Sequence, residues 1–412
     1  MHDLLLTNAN VATMDGEEPF GLVADGAIGI TDGKIAWIGP SAAAREDQAD
    51  EVRDLGGRVV TPGLVDPHTH IVYGEEGLDD FEVLSQGGGR WDLEPAGAGI
   101  LAMTRRTRAL SEEALHAASR RRMSRLIANG VTTVESKSGA GLDRDTELRQ
   151  MRVSRALGED LPVTVVSTYL GAHGLPPEEF AGRRDDYVTF MCEEVLPEAA
   201  RQGIVDQVDG FCDQNGYSHA QIGRLFDCAQ SFGLPVKLHA DQYTDFGAGG
   251  VVAKYRGLSA DHLEYASRAT VEAMAEAGTV ATLLPGAHLT FHETRKPPVA
   301  LFRELGVPMA LATNSNPVSS PTVSPSSQMH LGCYLFRLTP EEALRGFTVN
   351  GARALGLSGQ AGRIALGRAA DLAAWDTDDP RGLAYRIGGC DCTLVVKDGI
   401  VVHEMPEPGF GT

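Results

Sequence analysis

The segment Thr61-Pro-Gly-Leu-Val-Asp-Pro-His68-Thr-His70 places two imidazoles two residues apart after an apolar run. Side chains alternate across a strand, so both rings project from one face. Two neutral imidazoles on a rigid strand end supply half the donor set of a borderline divalent cation. A His-x-His pair alone is weak evidence. Downstream, however, His173, His239 and His262 each close an apolar, strand-like run, and Asn314 stands at a similar place where a carboxylate donor is expected.

These residues need a scaffold that brings strand ends together. The first sixty residues read as short strands and turns: Leu4 to Asn8, Ala27 to Ile30, Lys34 to Ile38 and Arg58 to Val60. Asp32-Gly33 is a hairpin signal between two of them. The C-terminal part has the same character, with Leu372 to Trp375, Cys392 to Val396, Asp398-Gly399 and Ile400 to His403. Both ends therefore contribute to one small, β-sandwich-like domain, residues 1–60 and 358–412. Between them strands alternate with helical runs such as Ser111 to Ala128, Thr146 to Leu157 and Pro340 to Ala352. Such repetition implies right-handed βαβ units and a parallel sheet. Seven or eight units over residues 61–357 fit an α/β fold of the (β/α)8 TIM-like barrel type. The histidines and Asn314 then sit at C-terminal strand ends, which is the catalytic face of such a barrel.

At 412 residues, 42% hydrophobic and 22% charged, the composition is that of a globular protein. A net charge of -20 argues against nucleic acid or an anionic membrane as a partner, although a local Arg can still bind a small anion. No apolar run reaches membrane-spanning length, and the N-terminus lacks the pattern of a secretion signal, so a cytoplasmic location is expected. The six cysteines are scattered and read as reduced thiols.

Several longer segments resemble a known group. The Pro-Gly-Leu-Val-Asp-x-His-Thr-His segment and Gly367-Arg-Ala-Ala-Asp371-Leu-Ala-Ala-Trp375-Asp look like the amidohydrolase superfamily. Lys137-Ser-Gly-x-Gly-Leu142, Leu170-Gly-Ala-His173-x-x-Pro-Pro177, Val236-Lys-Leu-His-Ala-Asp241, Ser259-Ala-Asp-His-Leu263 and Asn316-Pro317 are similar to the imidazolonepropionase family within it. The resemblance implies a metal-dependent hydrolase with one divalent ion, zinc first, iron or manganese as alternatives. It assigns His68, His70 and His239 as imidazole ligands and His262 as a residue contacting the attacking water or the substrate. It places His173, Asn316 and Gln242 near the substrate, and a homodimer is compatible with it.

The chain departs from that family where proton transfer is concerned. The family's Ala-Thr-Asp-x-Asn-Pro is here Ala312-Thr-Asn314-Ser-Asn-Pro317. An Asn can offer its amide oxygen to a metal, but it cannot act as a general base near neutral pH. Three readings follow: catalysis with His262 as base, an inactivating Asp-to-Asn substitution, or a binding protein that has lost catalysis. The substrate loops diverge as well. Gly74-Glu-Glu-Gly77 lacks an expected Arg, Ala140 replaces an expected Tyr, and a gap-free count places Arg90 where a Tyr would help hold a propionate. Arg90 suits bidentate carboxylate binding, or is a solvated loop residue; Tyr73 is a further expected substrate contact. His288, His292 and His330 read as surface or helix residues.

The expected activity is hydrolytic attack at C2 of a five-membered imidazolone-type ring bearing a propionate, a small anionic heterocycle. This is imidazolonepropionase chemistry, or that of a sister enzyme on a 2-oxo or 2-thioxo ring, the latter releasing sulfide. A deaminase of the same superfamily is the weaker alternative.

Overall fold

In the computed structural model, residues 1–16, 18–174 and 176–406 are described. Eight strands from the two ends of the chain form one sheet. Its order runs Ile400–Glu404, Cys392–Lys397, Leu372–Trp375, Val59–Pro62, His2–Ala12, Leu22–Thr31 and Lys34–Pro40, with Ala49–Asp54 also pairing to His2–Ala12. Asp32 and Gly33 have φ of 50° and 71°, and Asp398 and Gly399 have 50° and 80°. Both pairs have the positive φ that tight hairpin turns require, as the two dipeptides led us to expect. Leu4, Leu6, Ile28, Ile30, Val60, Leu372, Leu394 and Val396 make this sheet's own core, drawn from both ends of the chain.

The middle of the chain forms a (β/α)8 barrel. Its parallel strands, in order, are Leu64–Asp66, Val131–Lys137, Thr164–Ala172, Gln207–Cys212, Leu238–Ala240, Ser259–His262, Val280–Leu283 and Met309–Leu311. The last and first strands meet through single backbone bonds: Asn314 N–H donates to His68 O at 2.9 Å, and His70 N–H to Ser315 O at 3.0 Å. The buried Asp66 reinforces this seam, accepting from Thr313 N at 3.1 Å and Thr313 Oγ1 at 2.5 Å. Burial raises its pKa to about 7 against those hydrogen bonds.

The predicted helices are found with small boundary shifts, set by caps. Ser111 caps Glu112–Ala128 by accepting from Ala114 N–H, and Asp143 caps Arg144–Asp160 by accepting from Thr146 N–H. Pro340 to Ala352, expected as one helix, is two: Pro340–Gly346 and Val349–Ala354. Thr348 breaks it, with φ -128° and ψ -98°, while its hydroxyl donates back to Leu344 O at 2.7 Å. The break lets Gly346 pack against Leu311 and Gly351 against Val65, where an added Cβ would lie 2.8 Å from backbone atoms.

Trp375 joins the two units. Its indole N–H donates to Thr61 Oγ1 at 2.9 Å, and its ring lies where a Cβ on Gly130 (φ +86°) would come within 2.8 Å. Trp375→Ala should therefore cost roughly 3–5 kcal/mol, read as a shift of the urea midpoint, and Gly130→Ala should also destabilise.

Candidate active site

The floor of the site is a layer of buried charge inside the barrel. Glu135, Lys137, Asp209, Lys237 and Asp261 are each fully buried. Lys137 Nζ lies 2.7 Å from Asp209, 2.9 Å from Glu135 and 3.7 Å from Asp261. Lys237 Nζ lies 2.7 Å from Glu135 and donates to Pro67 O at 2.6 Å. Burial opposes the charge on Lys137, but the three carboxylates outweigh it and hold the ammonium above its ordinary pKa. Burial likewise works against the Asp209 carboxylate, and Lys137 and His239 hold it well below the usual range. Three carboxylates face two ammoniums, so the layer has one negative charge in excess, and a cation above it is favoured.

The histidines stand on that layer. Asp261 Oδ2 accepts from His68 Nδ1 at 2.6 Å, and Asp209 Oδ2 lies 3.1 Å from His239 Nδ1. A proton held on Nδ1 leaves Nε2 as the free donor. His68 Nε2 is indeed buried with no hydrogen-bond partner. One ring nitrogen from each of His68, His70 and His239 lies within 4.8 Å of the others. Burial, and then neighbouring cationic groups, push His68 and His70 well below the ordinary imidazole pKa. Neutral, converging imidazoles, two of them with a carboxylate beside Nδ1, fit a divalent cation such as zinc.

Above the histidines lies a small cavity, partly open to solvent. Of the residues assigned from sequence, His70, His239, His262, Asn314, Gln242, Arg90, His173 and Asn316 all line it. His68 lies just beneath, its ring centroid 5.2 Å from that of His70. Tyr73 does not reach the cavity. Its hydroxyl donates to Glu76 at 3.0 Å and Arg122 stacks on its ring at 3.6 Å, which keeps it in a neighbouring apolar cluster.

Arg90 is the cavity's cationic wall. Its guanidinium lies 5.4, 5.0 and 5.7 Å from the rings of Trp91, Tyr243 and Phe291, and its buried Nε has no hydrogen-bond partner. A planar cation held by aromatic faces, with a donor unused, is poised for a carboxylate. His173 donates Nδ1–H to Gly139 O at 3.1 Å and stacks on His70. Burial lowers its pKa to about 3, so this wall is neutral.

Asn314 adopts φ 50°, a left-handed conformation that Asn tolerates. Its Oδ1 accepts from Asn316 Nδ2 at 3.1 Å, leaving one lone pair free. Asn316 is occupied chiefly with the turn: its Oδ1 accepts from Val318 N at 2.9 Å and Ser319 N at 2.7 Å. Asp241 (φ 50°) accepts from Phe246, Ala248 and Gly249 amides and so holds the loop carrying Gln242. His288 and His330 lie on helices, as one of the two expected readings had it, and both are buried: His288 Nε2 has no hydrogen-bond partner, and His330 Nδ1 lies against the Ala384 and Tyr385 carbonyls.

This fold and this constellation define a metal-dependent amidohydrolase: residues 59–402 match the amidohydrolase family, and the chain belongs to it. At closer range it is similar to the imidazolonepropionase of Ralstonia nicotianae, 51% identical over 399 residues covering 96% of this chain and 98% of that one. The imidazolonepropionase of Cupriavidus necator is 46% identical over 397 residues, 96% and 95% of the two chains. Among solved structures, 5-methylcytosine deaminase from Klebsiella pneumoniae superposes with a TM-score of 0.77 at 17% identity, over 99% of each chain. An adenosine deaminase from Xanthomonas campestris with bound zinc superposes with 0.68 at 18%, over 97% of this chain and 92% of the other. Among the described residues no helix is long and apolar enough to cross a membrane.

Sequence reading missed the charged layer and the pocket's apolar walls, Met103, Phe211, Phe291 and Val318. The available signal was a charged residue inside an otherwise apolar strand, as at Asp209, Lys237 and Asp261. Replacing Asp261 by Asn should weaken metal retention about 10- to 100-fold, measured by chelator competition with elemental analysis. Lys137→Met, which strands buried carboxylates, should cost about 3–5 kcal/mol of stability, read by denaturant unfolding.

Proposed function

We propose that this protein hydrolyses a five-membered imidazolone-type ring carrying a propionate arm. His68, His70 and His239 hold the divalent ion, with Asn314 Oδ1 the candidate fourth donor from the protein. When bound there, such an ion polarises the electrophilic carbon and acidifies a water molecule. Arg90 takes the carboxylate of the arm. Ile100, Met103, Phe211, Phe291 and Val318 give the ring an apolar slot that excludes bulk water. His262 accepts the proton of the attacking water.

The carbon attacked depends on the product. Opening to an N-formimino amino acid requires water to add at the ring amide carbonyl and the C–N bond there to break. This revises the C2 position expected from sequence, because addition at C2 yields an N-formyl product instead. On a 2-thioxo ring, C2 is the right carbon: water adds, the C–S bond breaks, and sulfide leaves as the carbon becomes a carbonyl.

One observation favours the thioxo substrate. The cavity is lined by His, Arg, Asn, Gln, Ser and apolar side chains, with no carboxyl group among the described residues. A ring nitrogen leaves well only when protonated, whereas sulfide is a good leaving group without an acid beside it. Assaying the protein and Asn314→Asp side by side on imidazolone propionate and its 2-thioxo analogue tests this. We expect the unaltered protein to release sulfide from the thioxo ring. Turnover of imidazolone propionate alone assigns ring opening, recovery of that activity only in Asn314→Asp identifies an inactivated site, and inertness of both metal-loaded proteins supports a binding role. Arg90→Met should raise KM about 10- to 100-fold with a smaller change in kcat, and have little effect on a ring lacking the arm.

A further inference from the structure

Among the described residues no carboxyl group lines the cavity, but one stands beside His262, which does. The sixth barrel strand ends at His262, and the next residues turn sharply: His262 and Leu263 have φ of 82° and 68°. Two consecutive left-handed residues, neither Gly nor Asn, are strained, and such strain persists only where surrounding contacts enforce it. Here Leu263 N–H donates to Ala240 O at 3.0 Å and Tyr265 N–H to Asp241 O at 2.8 Å. The turn brings Glu264 beside His262, with Glu264 Oε2 lying 3.8 Å from His262 Nδ1.

Glu264 and His262 are each 3% exposed, and both of these facing atoms are buried without a hydrogen-bond partner. An unmade bond of this kind costs about 1–3 kcal/mol for each buried group. The two atoms face each other at 3.8 Å, just beyond hydrogen-bond distance. Nδ1–H bonded to the carboxylate would place the basic lone pair on Nε2, the other ring nitrogen of a residue that lines the cavity. The His262 ring is already 5.5 Å from His239 and 6.1 Å from His68, centroid to centroid.

We propose that Glu264 is the positioning residue that fixes His262 in its Nδ1–H form, so that Nε2 is the nitrogen that accepts the proton of the attacking water. This rests on the hydrolytic reading above, but the tautomer of His262 can be observed without turnover. The full-length, metal-loaded protein with 15N-labelled imidazoles, its His262 signals assigned by their loss in His262→Gln, reports which nitrogen carries the proton. The unaltered protein should show the Nδ1–H form. Glu264→Gln, whose amide oxygen still accepts, should retain that form, and Glu264→Ala should lose it. On the substrate turned over, Glu264→Ala should lower kcat about 10- to 100-fold, with KM and metal content unchanged and Glu264→Gln falling between. An unchanged tautomer in Glu264→Ala, or a raised KM at unchanged kcat, overturns the proposal. If the unaltered protein turns over neither ring acid, the substrate reading fails and the tautomer alone decides the role of Glu264. Should Glu264→Ala not fold, the isosteric Glu264→Gln decides: an Nδ1–H form with reduced kcat supports the proposal, and full activity or the Nε2–H form overturns it.

Discussion

Five ionised side chains sealed inside a barrel are the constraint on which the rest of this structure depends. A (β/α)8 barrel ordinarily fills its interior with branched apolar side chains. Here Lys137 and Lys237 knit together Glu135, Asp209 and Asp261, residues from four different strands. Removing either lysine leaves buried carboxylates uncompensated, so the layer depends on both ammoniums. Asp261 and Asp209 spend part of their charge on the Nδ1 atoms of His68 and His239. The ligand geometry is therefore an extension of the core packing.

Above that layer the site changes chemical character. Around the histidines the groups are neutral: His173 is held uncharged by burial, while Gln242, Asn314 and Asn316 are amides. The one permanent charge on the wall is Arg90, braced by three aromatic rings. The cavity thus has a floor of excess negative charge and a wall that carries a cation. His262 is a further imidazole on this lining, beside His239 and His68.

Legibility from sequence followed how local each signal was. His68 and His70 follow one short strand two residues apart, and His239 and His262 belong to runs whose apolar character announces strands, so the clustered imidazoles could be read. The Asp-Gly hairpins were equally local and came out with the required φ values. Arg90 was reached by counting along a loop and does line the cavity, whereas Tyr73, adjacent in sequence to the metal strand, is drawn aside by Arg122 and Glu76. The charged layer was hidden because its members come from separate strands and declare themselves only when paired. The break at Thr348 was hidden for a related reason: it answers to Leu311 and Val65, far away in the chain.

The shared sheet sets an order of events during synthesis. Val59–Pro62 pairs on one side with His2–Ala12, and on the other with Leu372–Trp375. At roughly 5–20 residues per second, the ribosome takes on the order of tens of seconds to make the barrel that separates those partners. Throughout that interval Val59–Pro62 presents an open, apolar edge that its own chain cannot yet cover. The N-terminal sheet must wait, half-built, for the last strands to arrive. Only when Leu372–Trp375 has been made can that edge be covered from within the chain.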